Sequence, residues 1–151
     1  MKFTWQTLSL LTLLFYIYGC SSDKSLDQEV VDYSTIASGF LTGNGAEDIE
    51  IGGQVIRTAS EFSDLIQKMN SYRDQSIEFD VAEFDFQTYM IIGIFADVKP
   101  TQAELSVTTI SETDSEIFID VSLTEMDNTI VTQPYLILQI PVSSKTLQSS
   151  L

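Results

Sequence analysis

Tyr89-Met90-Ile91-Ile92-Gly93-Ile94-Phe95 is the stretch that decides how this chain folds. Its apolar side chains alternate onto two faces, with Tyr89, Ile91 and Phe95 on one and Met90, Ile92 and Ile94 on the other. Successive side chains of a strand point to opposite sides. Both sides of this strand must therefore be covered, which predicts a central strand. The apolar stretch continues to Val98 and stops at Pro100.

Downstream, Glu104 to Glu112 and Ile117 to Thr124 alternate with a polar face. Ile117, Ile119, Val121 and Leu123 share one side, opposite Asp120 and Ser122. Strands of this kind suit an antiparallel sheet with one wet face. Tyr135 to Val142 reads as the last strand, between Pro134 and Pro141, which are tolerated at strand ends or on an edge. Upstream lies the clearest helix. Phe62, Leu65, Ile66 and Met69 fall at i, i+3, i+4 and i+7, and so form one stripe. Thr58-Ala59-Ser60-Glu61 before them has the capping-box pattern, and Asn70-Ser71 ends the periodicity. So short a helix needs a sheet under its stripe. Earlier still, 30–41 and 49–56 read as strands, and Gly43-Asn44-Gly45 between them predicts a turn that pairs the two as a hairpin. Gly52-Gly53 marks a bulge or sharp bend. The expectation is an α+β fold: a mostly antiparallel β domain of about six strands with one short amphipathic helix packed on the sheet, or a small sandwich capped by a helix.

The first 20 residues have a different character. Met1-Lys2 is a minimal positive start, and Leu8 to Tyr18 is apolar apart from Ser9 and Thr12. The run is short for a bilayer span, which takes roughly 20 residues, but it suits a secretory signal. Ile17-Tyr18-Gly19-Cys20 resembles a bacterial lipobox, although Tyr18 is larger than usual at its position. The resemblance implies a signal peptide at 1–19, diacylglyceryl on the sulfur of Cys20 and a lipidated tether at 20–28. One domain at 29–143 and a polar C-terminal tail at 144–151 complete the expected organisation. Ser21 differs from the acidic residue that retains some lipoproteins at the inner membrane, which implies the outer membrane.

Composition narrows function further. The chain has 22 acidic and seven basic residues, a net charge of −15, and loss of a leader containing Lys2 makes it one unit more negative. Such a surface repels phosphate backbones, so nucleic acid is excluded as a partner. Anionic lipid is repelled too, so membrane attachment falls to the lipid on Cys20. There is no histidine and a single cysteine, which removes His-dependent triads, Cys–His dyads and intramolecular disulfides. Glu112, Asp114 and Glu116 alternate, as do Glu78-Asp80 and Glu83-Asp85. Such carboxylates can hold calcium, but no EF-hand loop is present, and solvated turns are the expected setting. No cofactor and no metal site is expected. Phe84-Asp85-Phe86 reads as a strand entry that packs two rings.

From the helix onward the pattern resembles the C-terminal domain family of the protease complex subunit PrcB. The matching pieces are Ala59-Ser60-Glu61-Phe62-Ser63-Asp64-Leu65, then Asp85-Phe86 leading into Tyr89-Met90-Ile91-Ile92-Gly93. The closing Thr132-Gln133-Pro134-Tyr135 runs into an apolar strand that ends at Pro141. The match covers roughly residues 54–142. Where that family carries Pro-Thr-Gly-Gly-Tyr, this chain has Pro100-Thr101-Gln102-Ala103-Glu104. The resemblance implies a non-catalytic lipoprotein that associates with and stabilises a secreted protease. Tyr135, Thr132 and Thr101 are the candidate partner-binding residues, and edge strands or loops are the expected means of docking. A structural lipoprotein that binds an envelope polymer and a carboxylate-based hydrolase are the alternatives.

Overall fold

The computed structural model describes residues 28–43, 45–73 and 84–150. The leader 1–19, Cys20 with its tether as far as residue 27, Asn44, and the carboxylates Glu78, Asp80 and Glu83 lie outside the described residues. Within them the chain forms β1 (Glu29–Val30), β2 (Ser34–Thr42), β3 (Gly52–Ile56), α1 (Ala59–Met69), β4 (Tyr89–Phe95), β5 (Ala103–Glu112), β6 (Glu116–Glu125), β7 (Thr132–Pro141) and β8 (Thr146–Ser150).

The strands make two four-stranded sheets, ordered β1-β5-β6-β8 and β2-β7-β4-β3. Every pairing is antiparallel except β6 with β8. The two apolar faces of β4 explain the layers. Met90, Ile92 and Ile94, joined by Leu136, Leu138 and Ile140 of β7, pack against Leu105, Ile110, Ile117 and Ile119 of the opposite sheet. Ile91 and Phe95, joined by Tyr135 and Ile137, pack against Phe62, Leu65 and Met69 of the helix. The order is sheet, sheet, helix, and β4 and β7 are the strands with both faces covered. The fold is α+β and mostly antiparallel, as the alternation predicts.

The helix sits where its stripe directs it. Phe62, Leu65 and Met69 are buried and Ile66 is half-buried, while Ser63, Asp64, Gln67 and Lys68 face outward. Thr58 is the N-cap. Its Oγ1 accepts from Glu61 N–H at 3.2 Å, and Glu61 Oε2 accepts from the N–H groups of Arg57 and Thr58 at 2.8 and 3.1 Å. One orphan donor of the first turn, and the N–H groups of the two residues that precede the helix, are thereby satisfied. Phe84 and Phe86 set their rings edge-on against Phe62, at centroid distances of 5.2 and 6.2 Å, a favoured geometry for aromatic pairs.

Three local expectations are corrected. The hairpin across Gly43-Asn44-Gly45 does not form, because β2 and β3 lie at opposite edges of one sheet, with β7 and β4 between them. The doubly apolar strands take the centre, and β2 and β3 are left at the two edges. The stretch read as one strand over 30–41 is divided between the sheets: β1 joins β5, and β2 joins β7. Residues 146–150, read as part of a polar tail, form β8, in register with Glu116 to Asp120 of β6. Leu147 packs on the inter-sheet core from this strand. The segment accepts Gly53 closely, since a Cβ there would stand 2.8 Å from Leu147 Cδ2.

Candidate functional site

The strand directions give the sandwich two ends. At the near end the chain enters through Glu29, paired with Glu112, and Pro141 pairs with Tyr89. At the far end, β2 and β4 finish, β6 finishes, and β3, β5 and β7 begin. Gly52 pairs with Phe95, Ala103 with Glu125 and Thr42 with Thr132 there. Three loops gather at this far end: residues 45–51, 96–102 and 126–131.

Two of these loops are tied together by side chains. Gln102 N–H donates to Asn128 Oδ1 at 3.0 Å, and Asn128 Nδ2 donates back to Gln102 Oε1 at 2.9 Å. Met126 N–H donates to Gln102 O at 2.7 Å. Lys99 and Thr132 exchange both backbone hydrogen bonds, at 2.7 and 3.0 Å. Thr132 Oγ1 donates to Thr101 O at 3.1 Å, and Thr101 Oγ1 donates to Glu125 Oε2 at 3.3 Å. Gln102 stands where the resembled family has glycine, and here its amide is a structural tie. The third loop is pinned by Glu47, which is buried. Its Oε1 accepts from Thr42 N–H at 3.1 Å and from Thr42 Oγ1 at 2.6 Å.

The candidate residues therefore divide. Thr132 and Thr101 are brought together, as fasteners of the loop platform. Tyr135 is not with them. It is 4% exposed, under the helix on the other face of the sheet, with its ring beside Phe95 at 6.4 Å. Burial pushes its phenol pKa above the ordinary value. The closeness of the Tyr135 hydroxyl is what Gly39 accommodates, since a Cβ there would lie 3.0 Å from it. Tyr135 and Thr132 thus have packing and bridging positions, and the large apolar side chains exposed at this end belong to other residues.

Those residues are Ile51, Val98, Met126, Ile130 and Val131, all exposed and all on the three loops. Two pockets open among them. One of about 430 Å³ lies between Phe40–Gly43 and Ile130–Thr132, with Arg73 at its edge. The other, of about 160 Å³, enters between the sheets and is lined by Ile51, Ala96, Leu105, Val121 and Leu123, with Asp97 and Lys99 at its mouth. Sequence reasoning passed over this set. The available signal was a large apolar residue in each polar loop, whose meaning depends on the loops converging.

The acidic pairs have ordinary partners. Glu112 forms an ion pair with Lys145 at 3.0 Å, and Glu116 Oε1 accepts from Gln148 Nε2 at 3.0 Å. Asp85 accepts from Gln87 N–H and Thr88 Oγ1, and the Thr88 hydroxyl is the main reason its carboxyl titrates below the usual range. Among the described residues no cluster of three or more acidic or other ligating side chains is placed to hold a metal ion. No helix among them is long and apolar enough to cross a membrane. Comparison with family models, with curated proteins and with solved structures finds no match.

Proposed function

We propose that this protein is a lipid-anchored, non-enzymatic binding module of the bacterial cell envelope, held at the outer membrane through Cys20 and docking a protein partner with its far-end loops. A secreted protease is the partner class that the sequence resemblance implies. One observation carries the reading. The described chain starts at the near end, beside Glu112, whereas the tied loops and their five exposed apolar side chains stand at the opposite end. A tether leaving Glu29 toward a membrane directs those loops away from it. Two or more acyl chains give the stable attachment this requires. The lack of histidine supports a role without catalysis.

Docking by loops is favoured over docking by a strand edge. On one side of the sandwich, β2 and the part of β5 that β1 leaves uncovered each carry a bulge, at Thr35/Ala37 and Val107/Thr109. Bulges twist an edge away from pairing. The test is photo-crosslinking in the native cell, with a benzophenone side chain at Met126, at Ile130 or, on the near end, at Val142. A discrete heavier adduct from Met126 and Ile130, with none from Val142, is the expected result. Adducts from Val142 alone, or from none of the three, would overturn the proposal.

A further inference from the structure

The inter-sheet pocket at the far end has the form of a receptacle for one side chain. Leu105 is buried, and Val121 and Leu123 are half-buried members of the inter-sheet core that remain open to this cavity. Ile51, 59% exposed, stands on its rim as the chain approaches β3. A closed cavity of about 150 Å³ lined by Leu, Ile and Phe takes a molecule of benzene's size. The space here is about 160 Å³, enough for one leucine or phenylalanine side chain and too small for a cofactor.

The mouth adds charge. Asp97 is exposed directly beside the opening, and Lys99 is half-buried with its backbone bridged to Thr132. Glu125 follows Val121 and Leu123 on the same face of β6, whereas Glu50 lines a separate pocket with Leu65 and Lys68 on the helix side. Carboxylates therefore outnumber the single lysine around this opening, on a chain whose net charge is −15. Opposite charge on a partner speeds encounter and fixes register, and like charge repels.

We infer that this pocket receives a large apolar side chain of a partner peptide segment that carries a basic residue beside it. The inference rests on the binding-module reading and names the chemistry of the partner. The apolar side chain enters between the sheets against Leu105, Val121 and Leu123, and a neighbouring lysine or arginine of the partner pairs with Asp97. Lys99 tunes this selectivity: it penalises a partner with cations on both sides of the inserted residue, and its removal strengthens binding of such a partner.

The test uses the full chain in a neutral detergent, with fluorescence anisotropy of three labelled nonapeptides. One is centred on lysine–leucine–lysine, one on lysine–glycine–lysine and one on glutamate–leucine–glutamate. The first is expected to bind best, and each of the others about tenfold or more weaker. Asp97→Lys and Ile51→Ser change exposed side chains, so the fold is kept, and each should weaken the first peptide by a similar factor. Lys99→Ala should tighten it. Val121→Phe fills the cavity and should abolish the leucine preference. Equal binding of the glutamate peptide, or no effect of Asp97→Lys and Ile51→Ser, would overturn the inference. Crosslinked adducts from Met126 and Ile130 that persist alongside such a failure would show that the binding-module reading stands without this pocket. Loss of those adducts would overturn both.

Discussion

Replacing Phe62 by alanine tests the three-layer packing at its most demanding point. The ring is fully buried. It fills the space between the helix and the sheet face formed by Ile91, Phe95, Tyr135 and Ile137, and Phe84 and Phe86 stand edge-on against it. A buried Phe→Ala change costs about 3–5 kcal/mol through lost transfer energy and the cavity left behind. Each aromatic pair adds about 0.5–1.5 kcal/mol beyond area burial, which places this site in the upper half of that range. Against a total stability of about 5–15 kcal/mol, the variant is close to its folding threshold. With a urea dependence of about 2 kcal/mol per molar, the unfolding midpoint should fall by about 2 M. Gln67→Ala, on the outward face, should stay within about 0.5 kcal/mol, and Phe62→Leu should lie between the two. If Phe62→Ala and Gln67→Ala unfold at the same urea concentration, the helix does not pack on the sheet through this face.

Thr58→Ala removes the acceptor for Glu61 N–H and should cost about 1 kcal/mol in the same titration. The Arg57 N–H, and then the hydroxyl and N–H of Thr58, hold the Glu61 carboxyl below the usual carboxylate range. Its contribution is therefore present above the unfolded-state pKa and is lost as pH falls through the folded one. Glu61→Gln should flatten the acid limb of the stability profile, and an unchanged slope would count against the capping role. For Tyr135 the sign is reversed: burial raises its pKa, so its contribution is intact below the unfolded value and is lost as pH rises through the folded one. Tyr135→Phe should shift alkaline unfolding to higher pH with little effect at neutral pH, as read by circular dichroism. Cys20→Ala should abolish incorporation of labelled palmitate, and equal labelling of wild type and variant would refute the lipid anchor.

What the sequence made legible follows from local periodicity. The two apolar faces of Tyr89–Phe95 and the stripe Phe62, Leu65, Met69 each depend on spacing within one element, and the structure places both as that spacing demands. Pairing does not have this property. Gly43-Asn44-Gly45 is a good local turn signal, yet β2 pairs with β7 because Leu136, Leu138 and Ile140 on one side and Tyr135 and Ile137 on the other need cover on both faces. That competition depends on a strand about 90 residues away and leaves no mark near the turn. The segment Thr146–Ser150 was hidden for the opposite reason. Its side chains are polar apart from Leu147, and it is held by backbone pairing, by Gln148 on Glu116 and by Ser150 on Asp120, at 3.0 and 2.6 Å. Tyr135 read as a candidate contact because it enters the last strand in the Thr132-Gln133-Pro134-Tyr135 resemblance, and only the position of the helix shows which layer covers its ring.

The far-end loops carry a cost that ordinary solubility does not explain. Five large apolar side chains are left exposed in segments whose neighbours are polar or acidic. Single exposed apolar residues are normal on any surface, but these five converge on one end because of how the strands run. The same loops are tied by the Gln102–Asn128 amide pair and by the Lys99–Thr132 bridge. Fixing a loop in advance lowers the entropy lost when a partner orders it. Exposed apolar contacts on pre-ordered backbone are the combination that makes a docking surface, and acidic side chains around them limit self-association by mutual repulsion. If the platform works in this way, breaking the amide pair with Asn128→Ala should weaken partner crosslinking from Met126 more than it lowers the thermal midpoint. A variant that loses stability yet crosslinks as strongly as wild type would show that the ties serve the fold alone.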